Sequence, residues 1–363
     1  MLAKHSWLLL AAALAMAACG NADVTALELP EGFSLRVVTI EVKNARQMAL
    51  DDDGTLFVGT RRQGSVYAIA NALTDANPQV IELATGLTMP TGVAVKDGQL
   101  YVGATNRILR FDAGNLVANA PFEVVTEDLP DKRMHGWKYL KFGPDGALYV
   151  PVGAPCNICL SEDPRFASIL RMNAETGETT IFAQGIRNSV GFAWHPTTQH
   201  LWFTDNGRDL MGDDVPSEEV NVATRPGQHF GYPFIHAGDV PDPEYGKGVD
   251  AATYQPPTVK IQAHSAALGA TFYTGSQFPP EYQGALFIAE HGSWNRSVKV
   301  GYRISVVTMD RDAPHYQPFI RGWLEGQRNW GRPNDVLVAP DGSLLISDDQ
   351  AGAIYQVTYQ APR

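Results

Sequence analysis

Short runs that alternate apolar and polar residues recur over most of the chain, and many are joined in pairs by Asp-Gly. Residues 48–58 read MALDDDGTLFV, 92–102 GVAVKDGQLYV, 140–150 LKFGPDGALYV and 336–346 VLVAPDGSLLI. Alternation of period two marks strands with one face inward, and Asp-Gly between such runs predicts a hairpin of type I′, whose central residues need positive φ. Two degenerate copies lack the turn: FAWHP at 192–196 followed by LWF at 201–203, and ATFY at 270–273 followed by ALFI at 285–288. Third strands are expected at 65–69, 108–111, 168–172, 302–307 and 353–357.

The turn glycines Gly54, Gly98 and Gly146 are spaced by roughly 45 residues, the period of a four-stranded propeller blade. Later steps are longer because loops are inserted between Thr204 and His264. The reading is all-β: a six-bladed β-propeller of four-stranded antiparallel blades. The run 33–40 has no Asp-Gly partner and is expected to complete the last blade and close the ring, leaving no bare edge. A β-sandwich or two stacked β domains would also alternate, but would not repeat at blade period.

Composition adds three bounds. With 39 acidic against 28 basic residues the chain carries −11, which argues against nucleic acid as a partner. Lys4 and His5 precede a short apolar stretch, and Met16-Ala17-Ala18-Cys19 resembles a bacterial lipobox. Residues 1–18 are therefore expected to be a lipoprotein signal peptide, Cys19 the lipidated residue, 19–30 a tether and 31–363 the propeller. That predicts a periplasmic protein lipid-anchored to a membrane, with the leaflet open; a plain cleaved signal is the alternative. Cys156 and Cys159 form a C-x-x-C pair. Leu160 follows where c-type haem attachment needs His, no second pair supports zinc, and the βαβ setting of a redox pair is missing. A disulfide stiffening a loop suits an exported chain.

In a propeller the residues just before each first strand collect at one face. Here these include Arg46, His135, Lys138, Arg187, Asn188, His264, Arg332 and Asn334, a basic group in an acidic chain. Several cations together call for an anion between them, and Arg forks suit carboxylates; local pairing of each Arg with a rim acid is the competing reading. His135 among cations would favour its neutral form, as a general base requires, although His195, His200, His229, His236, His264 and His291 are also available. Segment 204–221 gathers Asp205, Asp209, Asp213, Asp214, Glu218 and Glu219, hard oxygen donors of calcium type without EF-hand spacing; a solvated acidic loop is the alternative.

The stretches HGWKYLKFGPDGALYVPVGAPCNIC, GIRNSVGFAWHP, LWFTDNGRD, FIAEHGSWNRS and WGRPNDVLVAPDGSLLISDD resemble the glucose/sorbosone dehydrogenases, six-bladed propeller enzymes that use pyrroloquinoline quinone (PQQ), a flat tricarboxylate. The resemblance covers residues 30–360 and lies nearest the sorbosone-dehydrogenase-like bacterial branch. It implies that His135 is the base taking the sugar hydroxyl proton, with Arg187 beside it at the catalytic centre. It implies that Arg187, Asn188, Asn206, Arg296, Arg332 and Asn334 bind the quinone, and that a calcium ion (Ca2+) uses the carbonyls of Gly207 and Arg208 together with Glu218. Met134 stands where the glucose-oxidising members carry Asp, Asn334 where a second last-blade Arg is expected, and Arg296 is the nearest match to a fifth-blade Lys.

The expected activity is PQQ- and calcium-dependent oxidation of an aldose or a sorbosone-like aldehyde, by base-assisted hydride transfer to the quinone. Electrons would pass to an external acceptor, a quinone or a cytochrome. Two other classes fit a six-bladed propeller: a calcium-dependent lactonase or esterase, and a non-catalytic propeller that holds a ligand.

Overall fold

The computed structural model describes residues 24–309 and 313–362; Cys19 and the signal segment lie outside them. Six antiparallel meanders follow one another along the chain. Blade 1 comprises Ala45–Leu50, Leu56–Thr60, Val66–Ile69 and Val80–Ala84, and blade 2 Gly92–Lys96, Gln99–Gly103, Ile108–Asp112 and Phe122–Thr126. Blade 3 comprises Lys141–Phe142, Leu148–Val152, Ser168–Met172 and Thr179–Gln184, and blade 4 Phe192–Trp194, Leu201–Asp205, Glu218–Ala223 and Val259–Ile261. Blade 5 is formed by Ala267–Phe272, Leu286–Glu290, Arg303–Met309 and Pro314–Ile320. In blade 6, Pro333–Val338, Leu344–Asp348 and Ala353–Tyr359 are completed by Phe33–Thr39 as the outermost strand.

The early strand therefore closes the ring, with Phe33 opposite Tyr359 and Val37 opposite Tyr355. Its anchor is Phe33, whose ring lies 4.8 Å from Phe278, 5.0 Å from Phe319 and 5.5 Å from Tyr282, all edge-on. Such aromatic pairs add about 0.5–1.5 kcal/mol each beyond area burial.

The core is divided into six wedges, one between each pair of neighbouring blades. Phe57 of blade 1 packs with Val93 and Val102 of blade 2, whereas Leu56 and Val58 on the opposite face pack with Leu345 of blade 6. The same division recurs between blades 2 and 3, 3 and 4, 4 and 5, and 5 and 6. Both faces of each blade are thus buried, which is why second strands such as Leu148–Val152 are apolar throughout.

Only one Asp-Gly turn is type I′: Asp97 and Gly98 have φ of 51° and 72°, between paired Lys96 and Gln99. In the Pro-Asp-Gly turns the residue before Gly keeps negative φ. Gly146 N–H donates to Gly143 O and Gly342 N–H to Ala339 O, a type I turn closed by a left-handed Gly. The Asp51–Gly54 turn closes in the same way without proline, Gly54 N–H donating to Asp51 O, so proline reinforces this geometry by setting φ at the first turn position.

The insertion after Thr204 holds more order than its acidic composition suggests. Glu218–Ala223 is blade 4's third strand, and Gln228–His229 adds a parallel strand to blade 3. Among the described residues no helix is long and apolar enough to cross a membrane.

Candidate active site

The approaches to the first strands and the loops joining second to third strands meet on one face around a cavity of about 740 Å³. Its floor is closed across the ring axis. Gln47 accepts from Val93 N–H and Leu140 N–H and donates to Leu140 O at 2.6 Å. Asp335 of blade 6 accepts from Met48 N–H of blade 1 and from the Tyr139 hydroxyl beside blade 3.

His135 enters from the turn before blade 3 with φ of 49°, in the left-handed region, and is only 9 % exposed. A Cβ on Gly153 would lie 2.5 Å from the His135 Cβ, so only glycine allows that approach. The Nδ1 atom of His135 lies 2.8 Å from Ala154 O. A carbonyl can only accept, so Nδ1 carries the proton and Nε2 keeps its lone pair, on a residue that lines the cavity. Burial, then Arg187 and Arg61, lower the imidazole to about 3, against the smaller opposing effect of the Ala154 carbonyl. The ring is therefore neutral at ordinary pH.

Blade 4 supplies the opposing wall. The two carboxylate oxygens of Asp205, at the end of strand Leu201–Asp205, accept from Arg187 N–H at 2.8 Å and Asn188 N–H at 2.6 Å. Asp348 holds Arg332 N–H in the same way in blade 6, at 2.8 Å. These aspartates orient the residues that line the cavity. The Arg187 guanidinium donates to Asn157 O and Oδ1, Asn206 O and Asp209 Oδ2 at 2.8–3.1 Å.

The cations predicted to converge are only partly free. Arg46 pairs with Asp349 at 2.5 Å, and Asp349 also accepts from His291 at 2.9 Å. Burial would raise Asp349, but Arg46 and then His291 hold it well below the usual carboxylate range. Arg332 donates to the carbonyls of His291 and Gly292. Lys138 is buried beneath the cavity at 1 % exposure, its Nζ without a hydrogen-bond partner, and burial lowers it to about 7. Asn334 lies at that deeper level beside Arg46 and Lys138, outside the cavity wall. Arg296 turns away onto Asp213 O and the Asp214 carboxylate, and Asn295 lines the cavity instead. The placement of Arg296 as a cavity cation is thereby corrected: the rim acids of its own neighbourhood take it.

Three cavity arginines, Arg61, Arg62 and Arg133, were absent from the sequence reading. None forms an ion pair among the described residues, and Arg61 lies 3.9 Å over the Trp137 ring. Burial, then Arg46 and Arg62, lower Arg61 to about 10. Arg61 and Arg62 follow the second strand of blade 1, so an Arg-Arg pair in a second-to-third-strand loop was the available signal. Arg46, Arg61, Arg62 and Arg332 line the same cavity, and among the described residues only Arg46 of the four forms an ion pair, with Asp349.

The acidic segment does not converge on a cation. Asp205 holds backbone N–H groups, Asp209 pairs with Arg187, and Asp213 and Asp214 meet the Arg296 segment. Glu219 bonds Asn221. No group of three or more His, Cys, Asp or Glu with metal-site geometry exists among the described residues. The Arg208 side chain pairs with Asp242. Of these acids, only Glu218 lines the cavity without an ion pair among the described residues; its carboxylate accepts from Gly207 N–H at 2.9 Å, and burial raises it to about 8. Of the histidines, His135, His264 and His291 line the cavity; His195, His200, His229 and His236 do not.

A disulfide joins Cys156 and Cys159. The rim also exposes Met134 (53 %) and Trp294 (72 %).

The chain is 33 % identical over 358 residues to an uncharacterized protein of Borreliella burgdorferi, covering 92 % of this chain and 91 % of the relative. Two solved structures share the fold. The PQQ domain of pyranose dehydrogenase from Coprinopsis cinerea, in holo form, matches at TM-score 0.74 and 16 % identity, over 92 % of this chain and 97 % of that one. The PQQ-bound aldose sugar dehydrogenase of Streptomyces coelicolor matches at TM-score 0.63 and 21 % identity, over 92 % and 100 %. The family model "Glucose / Sorbosone dehydrogenase" matches residues 42–356, all six blades save the closing strand, so the chain belongs to that family and its kind of activity is that of a sugar dehydrogenase.

Proposed function

We propose that the cavity binds PQQ with calcium, and that the protein oxidises an aldose or a sorbosone-like aldehyde. The observation that carries this reading is that four guanidiniums, Arg46, Arg61, Arg62 and Arg332, line one cavity while only Arg46 among them is ion-paired among the described residues, with Asp349. Uncompensated cations in a half-buried pocket call for an anionic ligand, and a flat tricarboxylate supplies what the pocket lacks. Asn188, Asn206 and Arg187 would hold its other side. Glu218 fits a cation: it is a buried carboxylate on the cavity wall with no ion pair, and the carbonyls of Gly207 and Arg208 would complete the ligand set. The remaining predicted acids are committed elsewhere, so calcium would be held chiefly by carbonyls, Glu218 and the cofactor itself.

Bound there, PQQ supplies a two-electron acceptor for hydride. His135 takes the proton of the sugar hydroxyl at Nε2 while the hydrogen on the same carbon leaves as hydride; the Ala154 carbonyl keeps the imidazole in the tautomer that can do so. Arg187 and the blade 1 arginines would stabilise negative charge on the cofactor. The acceptor of the electrons would be external, a quinone or a cytochrome. An anchor at Cys19 would place this chemistry at a bacterial membrane, in the periplasm.

Reconstitution tests the proposal. Protein with added PQQ and calcium should bind the quinone and reduce an artificial acceptor with at least one aldose of a sugar panel. Absence of PQQ binding in the presence of calcium would move the protein to the class of ligand-holding propellers, and lactone hydrolysis without PQQ would make it a hydrolase.

A further inference from the structure

We propose that the loop closed by Cys156 and Cys159 is a positioning device that sets the base and the cofactor clamp together, and that Asn157 within it is a positioning residue. The proposal rests on reading His135 as base and Arg187 as clamp.

The loop enters the site at two points. Ala154, just before it, bonds both partners: its carbonyl receives His135 Nδ1 at 2.8 Å, and its N–H donates to Arg187 O at 2.8 Å. Asn157, between the cysteines, accepts from Arg187 Nε through its carbonyl at 2.9 Å and from Arg187 Nη2 through Oδ1 at 2.8 Å. The same Oδ1 accepts from Asp209 N–H at 2.9 Å, and Nδ2 donates to Asp209 O at 3.1 Å. Asp209 in turn pairs with Arg187. All three polar groups of the Asn157 side chain and carbonyl thus serve, through four hydrogen bonds, one guanidinium and its counter-ion.

No strand runs between Val152 and Ser168, so the meander does not hold this segment. Beside the bonds of Ala154 and Asn157, it is held by the disulfide, by Tyr232, whose hydroxyl accepts from Cys159 N–H at 3.1 Å and lies 3.5 Å from Cys156 Sγ, and by Arg165, which donates to Asp128 O at 2.6 Å. A segment without ladder bonds has many conformations to lose, and a crosslink across residues 156–159 removes part of that freedom before the site assembles. The covalent closure thereby sets Asn157 and the direction of Arg187, and through Arg187 O, which receives Ala154 N–H, it bears on the carbonyl that faces His135.

Three measurements on the full chain test this. The His135 ring signals of the apoprotein, followed by NMR against pH, report the base; its charged neighbours are Arg187 and Arg61. PQQ affinity, read from tryptophan fluorescence, reports the clamp, and the split of kcat from KM reports both. In a Cys156→Ser, Cys159→Ser variant the His135 titration should move up toward the ordinary imidazole range and PQQ affinity should fall about tenfold. Asn157→Ala should lower PQQ affinity about tenfold with the His135 titration unmoved. Asn157→Asp, which keeps the acceptor for Arg187, should restore most of that loss. Should the double variant fail to fold, the Asn157 pair still decides the clamp half. Unchanged affinity and unchanged titration would make the loop a passive staple and overturn the proposal. If the parent protein binds no PQQ while the titration still moves in the double variant, the functional reading falls and the positioning role stands.

Discussion

The guanidinium of Arg61 lies 3.9 Å from the centre of the Trp137 ring, and the His135 imidazole meets the same indole edge-on at 5.6 Å. Blade 1 thus reaches across blade 2 to the turn that carries the candidate base. Cation–π contact is worth roughly 0.5–2 kcal/mol and leaves the Arg61 donors free for a ligand. Arg61→Gln should therefore weaken PQQ binding by about tenfold or more with little change in thermal stability, as measured by fluorescence titration and a melting curve. An unchanged affinity would remove Arg61 from the anion site.

His135→Ala should retain PQQ binding and lose turnover by about a hundredfold or more, the usual range for a lost general base. Dye-linked activity at saturating sugar reads this directly; full turnover would assign the base elsewhere, with His264 and His291 the next histidines on the cavity wall.

The same imidazole predicts a pH dependence of apoprotein stability. Folding lowers His135 to about 3 and His291 to about 4, whereas the unfolded chain titrates near its ordinary value of about 6.5. Between those limits the unfolded state binds more protons, so these groups favour folding above pH 6.5 and lose that contribution as pH falls toward 3–4. His135→Gln should flatten the decline in Tm between pH 6.5 and 4 relative to the parent.

Glu218 is the acid on which a calcium effect should depend. A chelator should lower the Tm and the PQQ affinity of the parent protein, and calcium should restore both. In Glu218→Gln the response to added calcium should be much reduced. A parent protein indifferent to chelator would separate PQQ binding from calcium.

Closure of the ring rests on one aromatic side chain of the first strand. Phe33→Ala removes three edge-on ring contacts and should cost about 3 kcal/mol, the low end for a Phe truncation because Phe33 is half-buried. Denaturant unfolding would measure this; a change under about 1 kcal/mol would show that the strand pairing with Ala353–Tyr359 suffices.

Blade number, strand order and the closing strand were all legible in the chain, because each depends on local alternation and turn residues repeated at a fixed period. Glu218–Ala223 escaped notice because its alternation starts on two acids, Glu218 and Glu219, whose burial no local pattern announces. The positions of His135 and of Arg187 with Asn188 on one face also followed from the repeat. Charge pairing did not. Whether Arg46, Arg187 or Arg296 is free depends on acids 22 to 303 residues away, namely Asp349, Asp209 and Asp214, and only the folded ring brings those carboxylates within bonding distance. The amino-acid sequence by itself determined a six-bladed ring with a basic mouth and a histidine at its edge. Only the tertiary structure decided which cations remain uncompensated, since electrostatic pairing acts through space over a few ångströms and is indifferent to distance along the chain.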